Sequence, residues 1–263
     1  MKALTIFGTI LTLTVAINGC QKDQQKPNLT LEIPKSTTGV IDPSKTIGTG
    51  LVAFYPFNGN ANDVSGNNNN GINYSATLTA DRFKKLNSAY NFDGISNYIE
   101  VPSLNTLPYK PISYSLWIKP ATYDLTNYAL GGGRVIVGRD KSGYYYEGAI
   151  MMFNYPAAGI DNIISYYTGN SNSYSGFKPA LNTWTHITMT QSSSDTVKWY
   201  INGTLKKAEY YTIPGSANIP FRIGAGSDVA TGSTRLLWNG GIDDVRVYNR
   251  ILTQSEITYL ATH

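Results

Sequence analysis

Near the C-terminal end, Gly241-Ile242-Asp243-Asp244-Val245-Arg246-Val247-Tyr248-Asn249-Arg250 alternates with a period of two and carries a carboxylate on the apolar parity. As a strand, it places Asp243, Val245 and Val247 on one face and Asp244, Arg246 and Tyr248 on the other. The valines belong to a core, so Asp243 is expected at the inward edge of a buried sheet. A carboxylate there is costly unless backbone donors or a hard cation such as calcium compensate it, and both remedies stay open at this point.

The other reactive residues argue against catalysis. Retaining hydrolysis of a glycosidic bond needs two carboxyls roughly 5 Å apart, yet the five glutamates, Glu32, Glu100, Glu147, Glu209 and Glu256, stand alone in the sequence. Asp140 and Glu147 are one possible pair. With Lys141-Ser142-Gly143 as a hairpin turn, Asp140 opposes Tyr144, and Glu147 lies about 10 Å further along the strand. His186 and the terminal His263 are the only histidines; no nucleophile turn accompanies them, and His186 is expected to pack within a strand. With a single cysteine and no histidine cluster, zinc lacks a ligand set. No catalytic residue is assigned and the chain is expected not to be an enzyme. The alternative is a glycoside hydrolase whose carboxylates meet from different strands.

Composition points instead to binding. The 263 residues include 20 Tyr and 25 Gly but only 14% charged residues, with a net charge of +4. Lys and Arg are scattered rather than gathered in a stripe, which argues against nucleic acid. Abundant Tyr and Asn with scarce Glu suit surfaces that stack on and hydrogen-bond neutral polar ligands, sugars above all. The candidate platform residues are Tyr144, Tyr146, Tyr166, Tyr174 and Trp238, with Arg139 and Asp140 as planar polar neighbours. Alternation puts Tyr144 and Tyr146 on one face and Tyr145 on the other. The competing reading has these tyrosines filling a sandwich.

The elements that must position these residues are strands. Leu51–Tyr55, Tyr114–Ile118, Val135–Val137, Ala149–Phe153 and Ile163–Tyr167 read as strands. Val197–Ile201, then Asn202-Gly203, then Thr204–Lys206 read as a hairpin with a type I′ turn, pointing Val197, Trp199 and Ile201 inward. Thr253 followed by Glu256 and by Ile257 and Leu260 reads as a capped helix over residues 253–261. The Asn- and Gly-rich segment Asn58–Asn73 reads as a loop of tight turns that offers oxygens to an ion. One all-β, two-sheet antiparallel sandwich over residues 49–263, closed by a short C-terminal helix, accounts for the pattern.

Ahead of that domain, Lys2 and an apolar run from Ala3 to Ala16 lead to Cys20, the only cysteine. Residues 1–19 read as a signal peptide, too short an apolar run to span a membrane. The segment around Cys20 resembles a bacterial lipobox, which implies cleavage before Cys20 and lipidation of its thiol. Gln21-Lys22-Asp23 resembles the signal that sends some lipoproteins to the outer face of the outer membrane. Residues 20–48, rich in Gln, Lys, Thr, Ser and Pro, read as a flexible tether.

Three segments together resemble the laminin-G-like, concanavalin A-like lectin/glucanase superfamily, in its bacterial branch with pentraxin-like jelly rolls. They are Leu51–Gly59 with Asp63–Asn67, Tyr90–Ile99, and Ile242–Leu252 with Glu256-Ile257. Between them, Tyr114–Lys119, Trp184–Ile187 and Trp199–Gly203 fall where that family has central strands. The resemblance implies a concanavalin A-like jelly roll with a glycan as ligand, a protein-binding adhesion or assembly module being the alternative. It also implies a structural calcium on the convex side, held by backbone carbonyls near the Phe-Asn-Gly and Phe-Asp-Gly turns, at Asn58 and at Asp93 or Gly94, and by the side chain of Asp243.

Overall fold

The computed structural model describes residues 42–107, 110–123, 132–141, 145–155, 158–167, 172–211, 220–228 and 233–263. The expected signal peptide, Cys20 and most of the tether lie outside the described residues. The strands in chain order are β1 (Leu51–Tyr55), β2 (Ile72–Tyr74), β3 (Thr77–Thr79), β4 (Ala89–Asp93), β5 (Tyr98–Val101) and β6 (Ile112–Pro120). Then come β7 (Gly132–Lys141), β8 (Tyr145–Tyr155), β9 (Ile160–Tyr167), β10 (Asn172–Tyr174), β11 (Thr185–Gln191) and β12 (Thr196–Ile201). β13 (Thr204–Tyr210), β14 (Phe221–Ile223), β15 (Gly226–Asp228), β16 (Ser233–Arg235) and β17 (Asn239–Tyr248) complete them, with helices α1 (Pro43–Thr46) and α2 (Gln254–Thr262) at either end.

Two antiparallel sheets make the sandwich. Sheet A runs β13-β12-β11-β6-β17-β4-β3, with β1 also paired to β17; sheet B runs β10-β9-β8-β7-β14-β5-β2; β15 and β16 form a separate hairpin. The long β17 carries β6 along one side and both β4 and β1 along the other, so the opening and closing strands meet, as expected. Alternation in β6 sends Ile112, Tyr114, Leu116 and Ile118 into the core between the sheets, where Trp199, Phe92, Phe221 and Ile150 join them. Ser113, Ser115 and Trp117 take the outward face. The Asn202-Gly203 turn forms with φ of 47° and 79°, the left-handed values a type I′ turn needs. Val197, Trp199 and Ile201 point inward.

α2 closes the outward face of sheet A. Thr253 and Glu256 form a reciprocal capping box, and Ile257 and Leu260 pack with Tyr200, Tyr248 and Leu252. The helix lies so close to the hairpin turn that a Cβ on Gly203 would stand 3.2 Å from that of Ala261. Arg250 fastens the chain's opening to the same corner. It contacts the Glu256 carboxylate at 2.8 and 2.7 Å, and its Nε and Nη2 donate to the carbonyls of Thr49 and Thr46 at 2.6 and 2.9 Å. Asp42 caps α1 at the start of the described residues, its carboxylate accepting the Ser44 N–H.

The Asn-rich loop has a structural task. β1 has β17 on one side only, and its other edge is covered by side chains. Asp63 accepts the Phe54 N–H at 2.9 Å, Asn67 Nδ2 donates to the carbonyls of Leu51 and Val52, and Asn69 Nδ2 donates to that of Val52. Asp63 also accepts from Ser65 and Asn69, which fixes the loop's path.

Candidate functional site

The alternation in β17 breaks at Asp244. From Asp243 to Arg246 the strand advances three residues while its partner advances two, from Trp117 to Ser115, and Asp244 takes a φ of 50°. The extra residue resets parity: Ile242 and Val245 face the core, and Asp243 faces outward beside Trp117 and His186. Asp243 nevertheless has only 2% of its surface exposed. Arg82, from the loop between β3 and β4, covers it. One guanidinium nitrogen, Nη1, stands 3.1 Å from Asp243 and 2.7 Å from Asp244; Nη2 donates to the His263 carbonyl, and Cζ lies 4.6 Å from the Trp117 ring centroid.

Burial, reinforced by the Asp244 charge and opposed by Arg82, pushes the Asp243 carboxyl up to about 8. A carboxyl raised to that level carries a proton at neutral pH. Beside it His186 is buried, its Nε2 2.8 Å from Ser115 Oγ. Burial, with the charges of Arg246 and Arg82, holds its imidazole down at about 3, so it is neutral, as suits a packed strand residue.

The residues expected to share a calcium ion do not converge. Asn58 Oδ1 accepts from Lys85 Nζ at 2.7 Å, and Asp93 Oδ1 accepts the backbone N–H groups of Ile95, Ser96 and Asn97. The Gly94 carbonyl accepts from Arg134 at 3.3 Å. Asp93 pairs with Asn239, four residues from Asp243 and so roughly 13 Å along the strand. Among the described residues no three His, Cys, Asp or Glu side chains gather as a metal site. Asp93 and Gly94 thus stand too far along the strand from Asp243 to share one coordination shell with it. Asp243 draws its compensation from Arg82, a residue 161 positions away for which no local pattern gives a signal.

Several candidate ligand residues are interior. Trp238 is fully buried in the core. Tyr166 lies opposite Ile150 and packs against Tyr114, with 1% of its surface exposed. Arg139 stands opposite Phe221 because the irregularity between Val135 and Val137 turns it inward, and its Nη1 donates to the Leu107 carbonyl at 2.6 Å. These three cannot form a sugar platform. Tyr144 lies outside the described residues. Tyr146 of β8, rather than Tyr144, stands opposite Asp140 of β7, which places Glu147 one residue from that pair. Tyr174 remains half-exposed, its ring 6.2 Å from that of Phe153.

Tyr174 belongs to the outward face of sheet B, the face α2 leaves free. One transverse row there runs Tyr174, Ser165, Met151, Val135; the next runs Asn172, Tyr167, Ala149, Gly138, Arg222, Glu100, Ile72. The middle is apolar and closed, Val135, Ala149 and Met151 packing with Leu236 beside the β15–β16 hairpin. The two ends are open. One presents Tyr174 and Asn172; the other, which the sequence reading passed over, presents Tyr74, Tyr98 and Ile72 with an Arg222–Glu100 ion pair at 2.8 Å. Their signal was the alternation of Tyr98-Ile99-Glu100-Val101. The carboxylates of Glu100, Glu209, Glu256, Asp161 and Asp195 are each engaged with a Lys or Arg.

The two antiparallel sheets define a jelly-roll β-sandwich. The chain belongs to the concanavalin A-like lectin/glucanases superfamily, whose laminin-G-like model matches residues 93–258. Among solved structures it is similar to domain 4 of AbnA, an extracellular arabinanase from Geobacillus stearothermophilus, determined with arabinotriose. The identity is 22% and the TM-score 0.63, over 80% of this chain and 98% of that one. It is also similar to a structure of botulinum neurotoxin type C, described as entering cells through two ganglioside molecules (15% identity, TM-score 0.60, 83% of this chain and 52% of that one). The binding domain of Paraclostridial Mosquitocidal Protein 1 gives 18% identity and a TM-score of 0.60, over 81% and 52%. The chain spans about half the length of these toxin structures. At such identities the likeness shows the fold. No curated protein matches the sequence.

Proposed function

We propose that this chain is a non-catalytic cell-surface lipoprotein whose concanavalin A-like domain binds a glycan, for polysaccharide capture or adhesion. The observation that carries the reading is the outward face of sheet B, where aromatic side chains stand at both open ends on paired strands, with Asn172 beside them at one end and Glu100 at the other. Rigid rings with few planar polar groups are the means by which proteins hold neutral sugars. The arabinotriose found with the arabinanase domain supports a carbohydrate ligand, and the ion-paired carboxylates support binding without hydrolysis. Lipidation at Cys20 would anchor the protein in the outer membrane, with Gln21-Lys22-Asp23 directing it outward. No helix among the described residues is long and apolar enough to cross a membrane.

Glycan-array binding with hydrolysis followed in parallel tests the reading. Retention without product is the expected outcome, and product formation would assign a glycoside hydrolase instead. A protein-binding adhesion module is the second reading, favoured by Phe83 and Leu86, 64% and 76% exposed on the single tight loop after β3. Absence of both glycan retention and product would turn the assignment toward it.

A further inference from the structure

Three planar groups from three neighbouring strands of sheet B form one stack with an open last face. The Arg222 guanidinium of β14 lies over the Tyr98 ring of β5, with Cζ 5.1 Å from the centroid. Tyr98 in turn stacks on Tyr74 of β2, centroids 4.4 Å apart and planes 9° from parallel. β2 is the last strand of its sheet, so no ring from a further strand follows Tyr74. Tyr74 is 40% exposed, and Ile72, two residues along the same face, is 49% exposed. The base of the stack is fixed. Arg222 Nε and Nη2 both meet Glu100 Oε2, at 2.9 and 2.8 Å, while Nη1 is buried.

We propose that Tyr74, Tyr98 and Glu100 form a binding subsite for a neutral saccharide ring; the proposal rests on the glycan reading above and gives it a location and a ligand class. The C–H face of a pyranose or furanose would add the next layer on Tyr74, and Ile72 extends the apolar strip along β2. Glu100 Oε1 receives no hydrogen bond from a described residue and lies on the same face, opposite Ile72, as an acceptor for sugar hydroxyls. The electrostatics select against acidic sugars. Arg222 is committed to Glu100 through two nitrogens and its third is buried, so a uronate would meet a carboxylate without a free cation. The platform is preformed, because ring stacking and strand pairing order it before any ligand arrives.

The test is affinity electrophoresis of the full chain in non-denaturing gels containing arabinan, xylan, mannan or polygalacturonate, with thermal melts as a folding control. At least one neutral polymer should retard the wild type, Tyr74→Phe and the remote Tyr210→Ala alike. Tyr74→Ala should lose about tenfold or more in apparent affinity, as expected for the removal of one stacked ring. Tyr74→Leu, which keeps an apolar strand but removes the ring, carries the same expectation should the alanine variant not fold. Wild-type retardation that survives both Tyr74 variants would overturn the subsite and leave the glycan reading standing; the Tyr74–Tyr98 pair would then be a cross-strand contact that only stabilises the sheet. Retardation by polygalacturonate alone would overturn the neutral class. Free migration in every gel would remove the glycan reading and this proposal with it.

Discussion

Arg82 and Asp243 depend on each other more than their separation in the chain would indicate. Removing the guanidinium in Arg82→Ala leaves the buried Asp243 and the half-buried Asp244 without their shared partner, Arg246 remaining 3.5 Å from Asp244, a loss of about 1–3 kcal/mol. Chemical denaturation should report it, and added calcium should not restore it, because the Asp93-Gly94 turn lies too far along the strand from Asp243 to share an ion with it. The pH dependence follows from the raised Asp243 carboxyl, about 8 in the fold against 3.8 ordinarily. The folded protein binds this proton more tightly than the unfolded chain, so the stabilising contribution is full below about pH 4 and is lost as pH rises toward 8. Unfolding free energies of the wild type, measured against Asp243→Asn, should decline across that window; a flat difference would mean that Asp243 titrates normally. That Asp243 is buried was legible in the valines that follow it. The direction it faces was not, because a bulge adds one residue without changing the alternation of types.

The same cause misplaced Arg139, which the irregularity between Val135 and Val137 in β7 turns inward, whereas elements with their own chemical punctuation were readable. Asn202-Gly203 specified its turn, and Thr253 with Glu256 specified the start of α2. The Asn-rich loop was legible as a loop but not in its task, since nothing local shows that Asp63 and Asn67 substitute for a missing neighbour of β1. That substitution makes a prediction at this scale. Asp63→Ala should orphan the Phe54 N–H and release the loop, costing about 1–3 kcal/mol. Hydrogen exchange should locate the loss as faster exchange at Phe54 and Asn69, and unchanged protection there would show that the loop does not depend on Asp63.

For the molecule as a whole, ordered motifs from Leu51 to Leu252 were enough to indicate a jelly roll, because the opening and closing strands had to pair for either to bury its apolar face. The aromatic end of sheet B, where the subsite is proposed, was not legible, because Tyr74, Tyr98 and Arg222 come together only through the strand order β14-β5-β2. The anchoring proposal is tested by Cys20→Ser, which should shift the protein from the membrane to the soluble fraction; unchanged partition would refute lipidation there. Arg250 gives such an anchored head a mechanical property. It ties the carbonyls of Thr46 and Thr49 to a carboxylate on the closing helix. Tension arriving through the preceding residues therefore falls first on this charged rivet and is shared with α2, before it can peel the first strand from the sandwich.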